Sequence, residues 1–274
     1  MEKEIFDFFT KLVEKVSGIS YHEGKEYLLE SRLTELALTL GYKNLQDFYQ
    51  KVRSSLNSTL INQIVDTLTT NETYFFRDQH PFEALKKVLL PELFQKKAED
   101  KKLNIWSAAC STGQEPYSIS MLLHEFFPNY LNTYQINIYA TDISLSSLKK
   151  AKEGIYNQIE VNRGLPVTFL VKYFKQDKGN WIIDEKIKSL VKFEFLNLLE
   201  VDKKLIRETF DLILCRYVLI YFNKDVKTKV FQSLWKKLNP GGYLFLGATE
   251  IPPINPPDME KKIIEKSTVF YKKM

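Results

Sequence analysis

The chain has 274 residues, 44% of them hydrophobic, with a net charge of +5 and two cysteines. Length allows one or two domains with at least one sizeable core. No apolar run reaches the roughly 18 residues of a membrane span, the charged N-terminal pattern is not a secretory leader, and Cys110 and Cys215 are too few for a disulfide framework or a zinc site. A reduced, cytoplasmic protein is therefore expected. The first seventy residues are slightly acidic and the remainder carries scattered lysine, a solvated surface and no nucleic-acid-binding arm.

In chain order, Ile5, Phe8, Phe9, Leu12, Val13 and Val16 share one helical face that ends at Gly18. Leu28, Leu29, Leu33, Leu36, Ala37 and Leu40 form a second face before Gly41. Asn44 can cap a third helix with Leu45, Phe48, Tyr49 and Val52 inward. Leu60, Ile61, Ile64, Val65 and Leu68 predict a fourth, and four such helices make a small bundle. His80-Pro81 opens another helix that ends in QKKAEDKK. From Leu103 onward LNIWSAA, INIYATD, KFEFL, FDLILC and GYLFLGA read as strands. Helices are expected near 115–127, 144–153, 200–208 and 224–238, with TVFYKK as a last strand. The alternation predicts an α/β fold, a mostly parallel sheet with helices on both faces. YFKQDKGNWIID reads as a hairpin in a small antiparallel insert at about 155–191.

Ligands of open α/β sheets bind beyond the carboxyl ends of the strands. The first strand ends in WSAACSTGQEPYS (106–118). Its glycine turn lacks the GxGxxG phosphate cradle, so it fits either a cofactor without phosphates or an ordinary tight strand–helix loop. Asp142, ending the second strand in ATDIS, can accept from both ribose hydroxyls, or Asp142 or Ser144 caps the next helix. In FLNLL, Asn197 suits an adenine edge flanked by Leu196 and Leu198, or is a turn residue. Arg216, Tyr217 and Tyr221 follow the fourth strand.

NETYFFRD (71–78), WSAACSTGQEPYS, ATDIS, NLL, CRYVLIYF and LNPGGYLFLGATE together resemble, in order, the motifs of the CheR family of chemotaxis glutamate methyltransferases. The resemblance spans nearly the whole chain. It implies an all-α domain and linker over 1–78 and a class I, Rossmann-like methyltransferase domain over 79–274 that binds S-adenosylmethionine. Cofactor contacts are implied for Asn71, Thr73, Arg77, Ala108, Glu115, Asp142, Asn197 and Leu198, with Arg77, Arg216 and Tyr221 as the catalytic set. The implied partner is a protein substrate, the cytoplasmic helical region of a chemoreceptor, with no metal, nucleic acid or membrane insertion. The family commonly has RNV where Arg216-Tyr217-Val218 stands, GEEPYS for GQEPYS, and a GHSES-like segment for GATE (247–250).

Glutamate, with a pKa of about 4.3, is ionised at neutral pH, so its methylation needs no general base. A water-poor pocket favours attack of a carboxylate on a sulfonium, because charge is annihilated in the transition state. Tyr74, Phe75, Phe76 and Tyr221 are expected to wall it, and Arg77 to hold the cofactor carboxylate. The second helix region keeps Lys25 and Arg32 but adds Glu23, Glu26, Glu30 and Glu35, which opposes docking on an acidic receptor helix. The alternatives are a cofactor-sensing module without methyl transfer and a methyltransferase with a non-chemotaxis target. Cys110 and Cys215 end neighbouring strands, where they either border the cofactor or lie inert in the core.

Overall fold

Apolar periodicity resolves into four helices at the start of the chain in a computed structural model that describes all residues except His22, Glu23 and Lys25. Helix α1 (Lys3–Ser17) buries Ile5, Phe6, Phe9 and Val13 and stops where Gly18 turns left-handed at φ 79°. Helix α2 (Glu26–Thr39) buries Leu29, Leu33 and Ala37. Helices α3 (Leu45–Ser54) and α4 (Ser58–Leu68) each begin on an asparagine. Asn44 accepts the Asp47 N–H at 2.8 Å and Asn57 the Leu60 N–H at 2.9 Å. These caps satisfy donors that a first helical turn leaves free. On α2, the Arg32 guanidinium donates to the carbonyls of Leu68 and Thr69 at 3.3 and 3.2 Å, so it is spent on the end of α4. Glu23 and Lys25, expected as charges beside it, lie outside the described residues.

Next come α5 (His80–Ala84), a π-helical turn (Leu85–Leu89) and α6 (Leu90–Lys96). Strand β1 (Lys102–Ala108) is followed by α7 (Gln114–Phe126), α8 (Pro128–Thr133), β2 (Gln135–Asp142) and α9 (Leu145–Glu153). The insert comprises β3 (Ile155–Tyr156), α10 (Gln158–Asn162), α11 (Val167–Tyr173), β4 (Phe174–Asp177), β5 (Asn180–Ile183) and α12 (Glu185–Lys188). The chain then runs through β6 (Val191–Phe195), α13 (Val201–Lys204), β7 (Phe210–Cys215), α14 (Lys224–Lys237), β8 (Leu238–Leu246), β9 (Met259–Ile264) and β10 (Ser267–Lys272).

The main sheet has the order β6-β2-β1-β7-β8-β10-β9. Its first five strands are parallel, and β10 pairs antiparallel with both β8 and β9. The chain works outward from β1 through β2 to β6 and then crosses back to β7. That reversal opens a crevice at the carboxyl ends of β1 and β7. β3, β5 and β4 form the separate antiparallel insert, whose hairpin turns at Lys178 and Gly179 with φ 46° and 82°. Aromatic and aliphatic side chains of β1, β7 and β8 fill the core on both faces.

Two elements differ from the sequence expectation. The helix expected over 200–208 shrinks to a 3-10 turn (Leu198–Glu200) and α13, because the following residues are needed to bring the chain to the start of β7. The terminal strand is half of a hairpin. MEKKII (259–264) forms the outer edge, and its lysines and glutamate suit a solvated edge better than its few apolar residues announce a strand. Among the described residues no helix is long and apolar enough to cross a membrane, and no cluster of metal-ligating side chains occurs.

Candidate cofactor and active site

The carboxyl ends of β1, β2, β6 and β7 surround a cavity of about 240 Å³. Ser17 and Ile19, just after α1, form part of its wall, as does the segment from Thr69 to Thr73. The bundle is fastened there by specific bonds. Ile19 pairs with Phe222, Ser20 N donates to the Tyr221 carbonyl at 2.8 Å, and Asn197 Nδ2 donates to the Val16 carbonyl at 2.6 Å. Gly18 is required at this crossing: a Cβ would stand 2.8 Å from Val226, and φ is already positive.

At the β2 end, Asp142 is 5% exposed. Its two oxygens accept the backbone N–H groups of Ser111 at 2.7 Å and Ser144 at 2.8 Å. Burial pushes its pKa above the usual 3.8, opposed by those backbone donors. Each oxygen keeps a further lone pair. Capping of α9 falls to Ser144, whose hydroxyl accepts the Ser147 N–H at 3.0 Å. Ile143, Leu196 and Leu198 add apolar wall. Asn197 also lines the cavity, and its amide donates to Val16 and accepts from Leu199 N at 3.0 Å, as a turn residue does. Ala108 does not line the cavity. It is 1% exposed, paired to Thr141 within the sheet, and the wall is made by Ala109, Cys110 and Ser111 after it.

At the β7 end, the Arg216 side chain is 2% exposed. Nη2 reaches Asp78 at 2.5 Å and the Arg77 carbonyl at 2.8 Å, and Nη1 reaches Glu115 at 3.1 Å. Glu115 also accepts the Ser107 hydroxyl at 2.7 Å. Arg216 Nε is buried with no partner among the described residues. Arg77 donates to the Glu72 carbonyl at 2.7 Å, and its guanidinium carbon lies 4.0 Å from the Tyr217 ring centroid. Asn71, Thr73, Arg77, Glu115, Asp142, Asn197, Leu198, Arg216 and Tyr221 all line the one cavity.

The aromatic pair of NETYFFRD is not a wall. Phe75 is 0% and Phe76 7% exposed, and both pack into the core. Phe75 meets Tyr156 and Phe174 edge-on, and Phe76 packs on Phe82 and Phe169. Tyr74 is also absent from the lining, where Tyr217, Tyr221 and Phe222 supply the aromatic surface. Cys110 lines the cavity, whereas Cys215 is fully buried. Burial raises both thiol pKa values, so both are poor nucleophiles.

Local pattern does not single out Asp78 or Glu250, yet both organise the site. Asp78 Oδ2 accepts from Arg216 and from the Tyr217 hydroxyl at 2.6 Å. Glu250 is 8% exposed and accepts four backbone N–H groups: Tyr217 at 2.7 Å, Val218 at 3.0 Å, Ile220 at 3.2 Å and Gly247 at 2.6 Å. It therefore shapes the turn that presents Arg216 to Phe222. Three residues that line the cavity, Ala109, Ser111 and Tyr217, have positive φ (61°, 51° and 59°). Such strain persists only where surrounding contacts enforce it. A carboxylate following a strand in GATE was the available signal for Glu250.

A buried acid with spare lone pairs, apolar residues beside it, no phosphate cradle and a charged cluster with an unsatisfied donor fit a phosphate-free nucleoside carrying an amino-acid end. The CheR methyltransferase all-alpha domain profile matches residues 4–69, and the CheR methyltransferase SAM binding domain profile matches residues 71–269. Chemotaxis protein methyltransferase 1 of Pseudomonas aeruginosa is 43% identical over 248 residues, covering 89% of each chain. Chemotaxis protein methyltransferase 1 of Vibrio cholerae is 41% identical over 246 residues, covering 88% of this chain and 87% of its own. The chemotaxis protein methyltransferase of Borreliella burgdorferi is 35% identical over 243 residues, covering 88% and 85%. The chain belongs to the CheR family of S-adenosylmethionine-dependent chemotaxis protein methyltransferases.

Proposed function

We propose that the chain methylates glutamate side chains, forming γ-methyl esters, on the cytoplasmic helical region of a chemoreceptor. The observation that carries this reading is that the helical bundle forms part of the cofactor cavity through Ser17 and Ile19. A small-acid methyltransferase has no need of a helical domain built into its reaction site; a protein substrate does. The acidic residues of α2, Glu26, Glu30 and Glu35, bear on which receptor can dock, because the Arg32 guanidinium beside them is occupied with the end of α4.

Asp142 would hold the ribose, Ile143, Leu196 and Leu198 the base, and Asn71, Thr73, Arg77 and Glu115 the amino-acid end. When bound, the cofactor supplies an electrophilic methyl on a sulfonium. The remaining work belongs to positioning and to exclusion of water. Among the described residues no histidine lines the cavity, consistent with a nucleophile already ionised at neutral pH. Arg216 is paired with Asp78 and Glu115, so it does not compete for the incoming carboxylate and blunt its attack. Tyr217, Val218, Ile220, Tyr221 and Phe222 form a largely apolar wall, where charge annihilation is favoured over charge separation.

The test incubates the purified chain with methyl-labelled cofactor and membranes containing chemoreceptors. Base-labile label on a receptor band is expected. Label in small molecules, or none despite measured cofactor binding, overturns the reading.

A further inference from the structure

Four planar side chains from three parts of the chain lie in a row. The Arg163 guanidinium, from the insert, is 4.4 Å from the Tyr74 ring centroid. Arg77 is 5.5 Å from the same ring and 4.0 Å from the ring of Tyr217. Glu72 joins the outer half, its carboxylate taking Arg163 at 2.6 Å and its carbonyl taking Arg77 at 2.7 Å. Among the described residues that carbonyl is the single hydrogen-bond partner of the Arg77 side chain. A guanidinium carries five N–H donors, so most of them remain unspent beside the cavity.

The inner rung is the better anchored. Tyr217 adopts a left-handed backbone at φ 59°, its N–H is held by Glu250 at 2.7 Å, and its hydroxyl by Asp78 at 2.6 Å. Burial and the Asp78 carboxylate raise the phenol pKa above 10.0, which keeps it a neutral donor at physiological pH. Asp78 is itself fixed by Arg216. The ring thus has its place set by contacts that do not involve Arg77, and can orient that arginine.

We infer that Tyr217 is a positioning residue for cofactor binding: its ring fixes the Arg77 guanidinium at the cavity edge, leaving the free donors aimed at the cofactor carboxylate. The inference rests on the reading of Arg77 as the carboxylate's partner. Cation–π contact with a partly desolvated ring is strong enough to matter here. Tyr74, whose ring centroid is farther from the Arg77 guanidinium at 5.5 Å, contributes less.

The experiment is a double-mutant cycle on the full chain, measuring S-adenosylhomocysteine affinity by calorimetry for wild type, R77A, Y217A, Y217L, Y217F and R77A/Y217A. Y217A and Y217L should each weaken binding roughly fivefold to twentyfold. Y217F, which keeps the ring but gives up the bond to Asp78, should lose less affinity than Y217A or Y217L. In R77A the further change Y217A should have almost no effect. In turnover assays Y217L should raise the cofactor KM by a larger factor than it lowers kcat at saturation, because the ring also belongs to the cavity wall. Independent, multiplicative losses in the double variant overturn the inference while leaving the Arg77 role standing, as does wild-type affinity in Y217L. Unchanged affinity in R77A overturns the Arg77 role itself and the inference with it. Y217L fills the space of the ring without a π face, so its result separates lost bulk from lost stacking if Y217A folds poorly.

Discussion

At the β2 end of the cavity one buried carboxylate, Asp142, is held by the backbone N–H groups of Ser111 and Ser144, whereas at the β7 end Arg216, Asp78, Glu115 and Tyr217 hold one another. Backbone donors stay in place when a side chain is changed. A ring of charged side chains does not, because each member is the counter-charge or hydrogen-bond partner of the next. Damage should therefore remain local at the first end and spread at the second. The β2 end keeps carboxylate lone pairs free for a ligand, and the β7 end holds several segments in register.

The largest effect should come from breaking the charged end. Arg216→Met removes a buried cation and strands Glu115, 12% exposed, and Asp78, 28% exposed. Loss of one partner of a buried pair costs on the order of 3 kcal/mol, water at Asp78 keeping it near the lower end of the range. Chemical denaturation should register that loss, together with near-complete loss of activity. A variant that melts like wild type would show that the charges there are independent.

Asp142→Asn tests the other end, with stability little changed and affinity strongly changed. The amide removes the cost of a buried charge but turns a donor toward one backbone N–H, an orphan worth about 1–3 kcal/mol, and the two offset. Cofactor affinity should fall about tenfold to a hundredfold by calorimetry, since hydrogen bonds to a charged acceptor are the stronger kind. The pH dependence follows from the raised pKa. Between the unfolded value and the higher folded value the native state binds the extra proton, so the contribution of Asp142 to stability falls as pH rises through that window. Cofactor affinity runs the other way, declining as acidification protonates the acceptor at a pH above 3.8. Asp142→Asn should flatten that decline; an unchanged profile would place the titration elsewhere.

The same contrast explains what could be read from the sequence. Strand–helix alternation and strand-end residues are local signals, so the parallel sheet, the cap at Asn44 and the placement of Asp142 on the cavity wall were legible, whereas Glu115 was implied only by the family resemblance. The β7 end depends on partners far apart in sequence, Asp78 with Arg216 and Glu250 with Tyr217, which no local spacing encodes. Phe75 and Phe76 misled for a related reason. Their adjacency suggested a pocket wall, but φ 51° at Phe76 and the core contacts of both rings turn them inward, leaving the wall to residues after β7. Tyr217 looked like the loss of an amide until Asp78 and Arg77 were found against its two functional parts, hydroxyl and ring. The insert hairpin was readable from its turn, whereas β9 was hidden by the charges that suit an edge.

The smallest effect concerns the joint between bundle and sheet. Asn197 gives Nδ2 to Val16 at 2.6 Å and takes the Leu199 N–H at 3.0 Å, tying the last turn of α1 to the turn after β6. Asn197→Ala loses both bonds, about 1–2 kcal/mol if the freed groups find water. The antiparallel contact of Ile19 with Phe222 and the bond from Ser20 to Tyr221 remain, so the bundle stays attached. Hydrogen exchange at Gly18 to Ser20 should quicken, with cofactor affinity down only about twofold to fivefold, less than in Asp142→Asn. Affinity loss equal to that of Asp142→Asn would mean that the amide itself reads the base. Unchanged exchange would mean that Ile19 and Ser20 alone bind the bundle to the cavity.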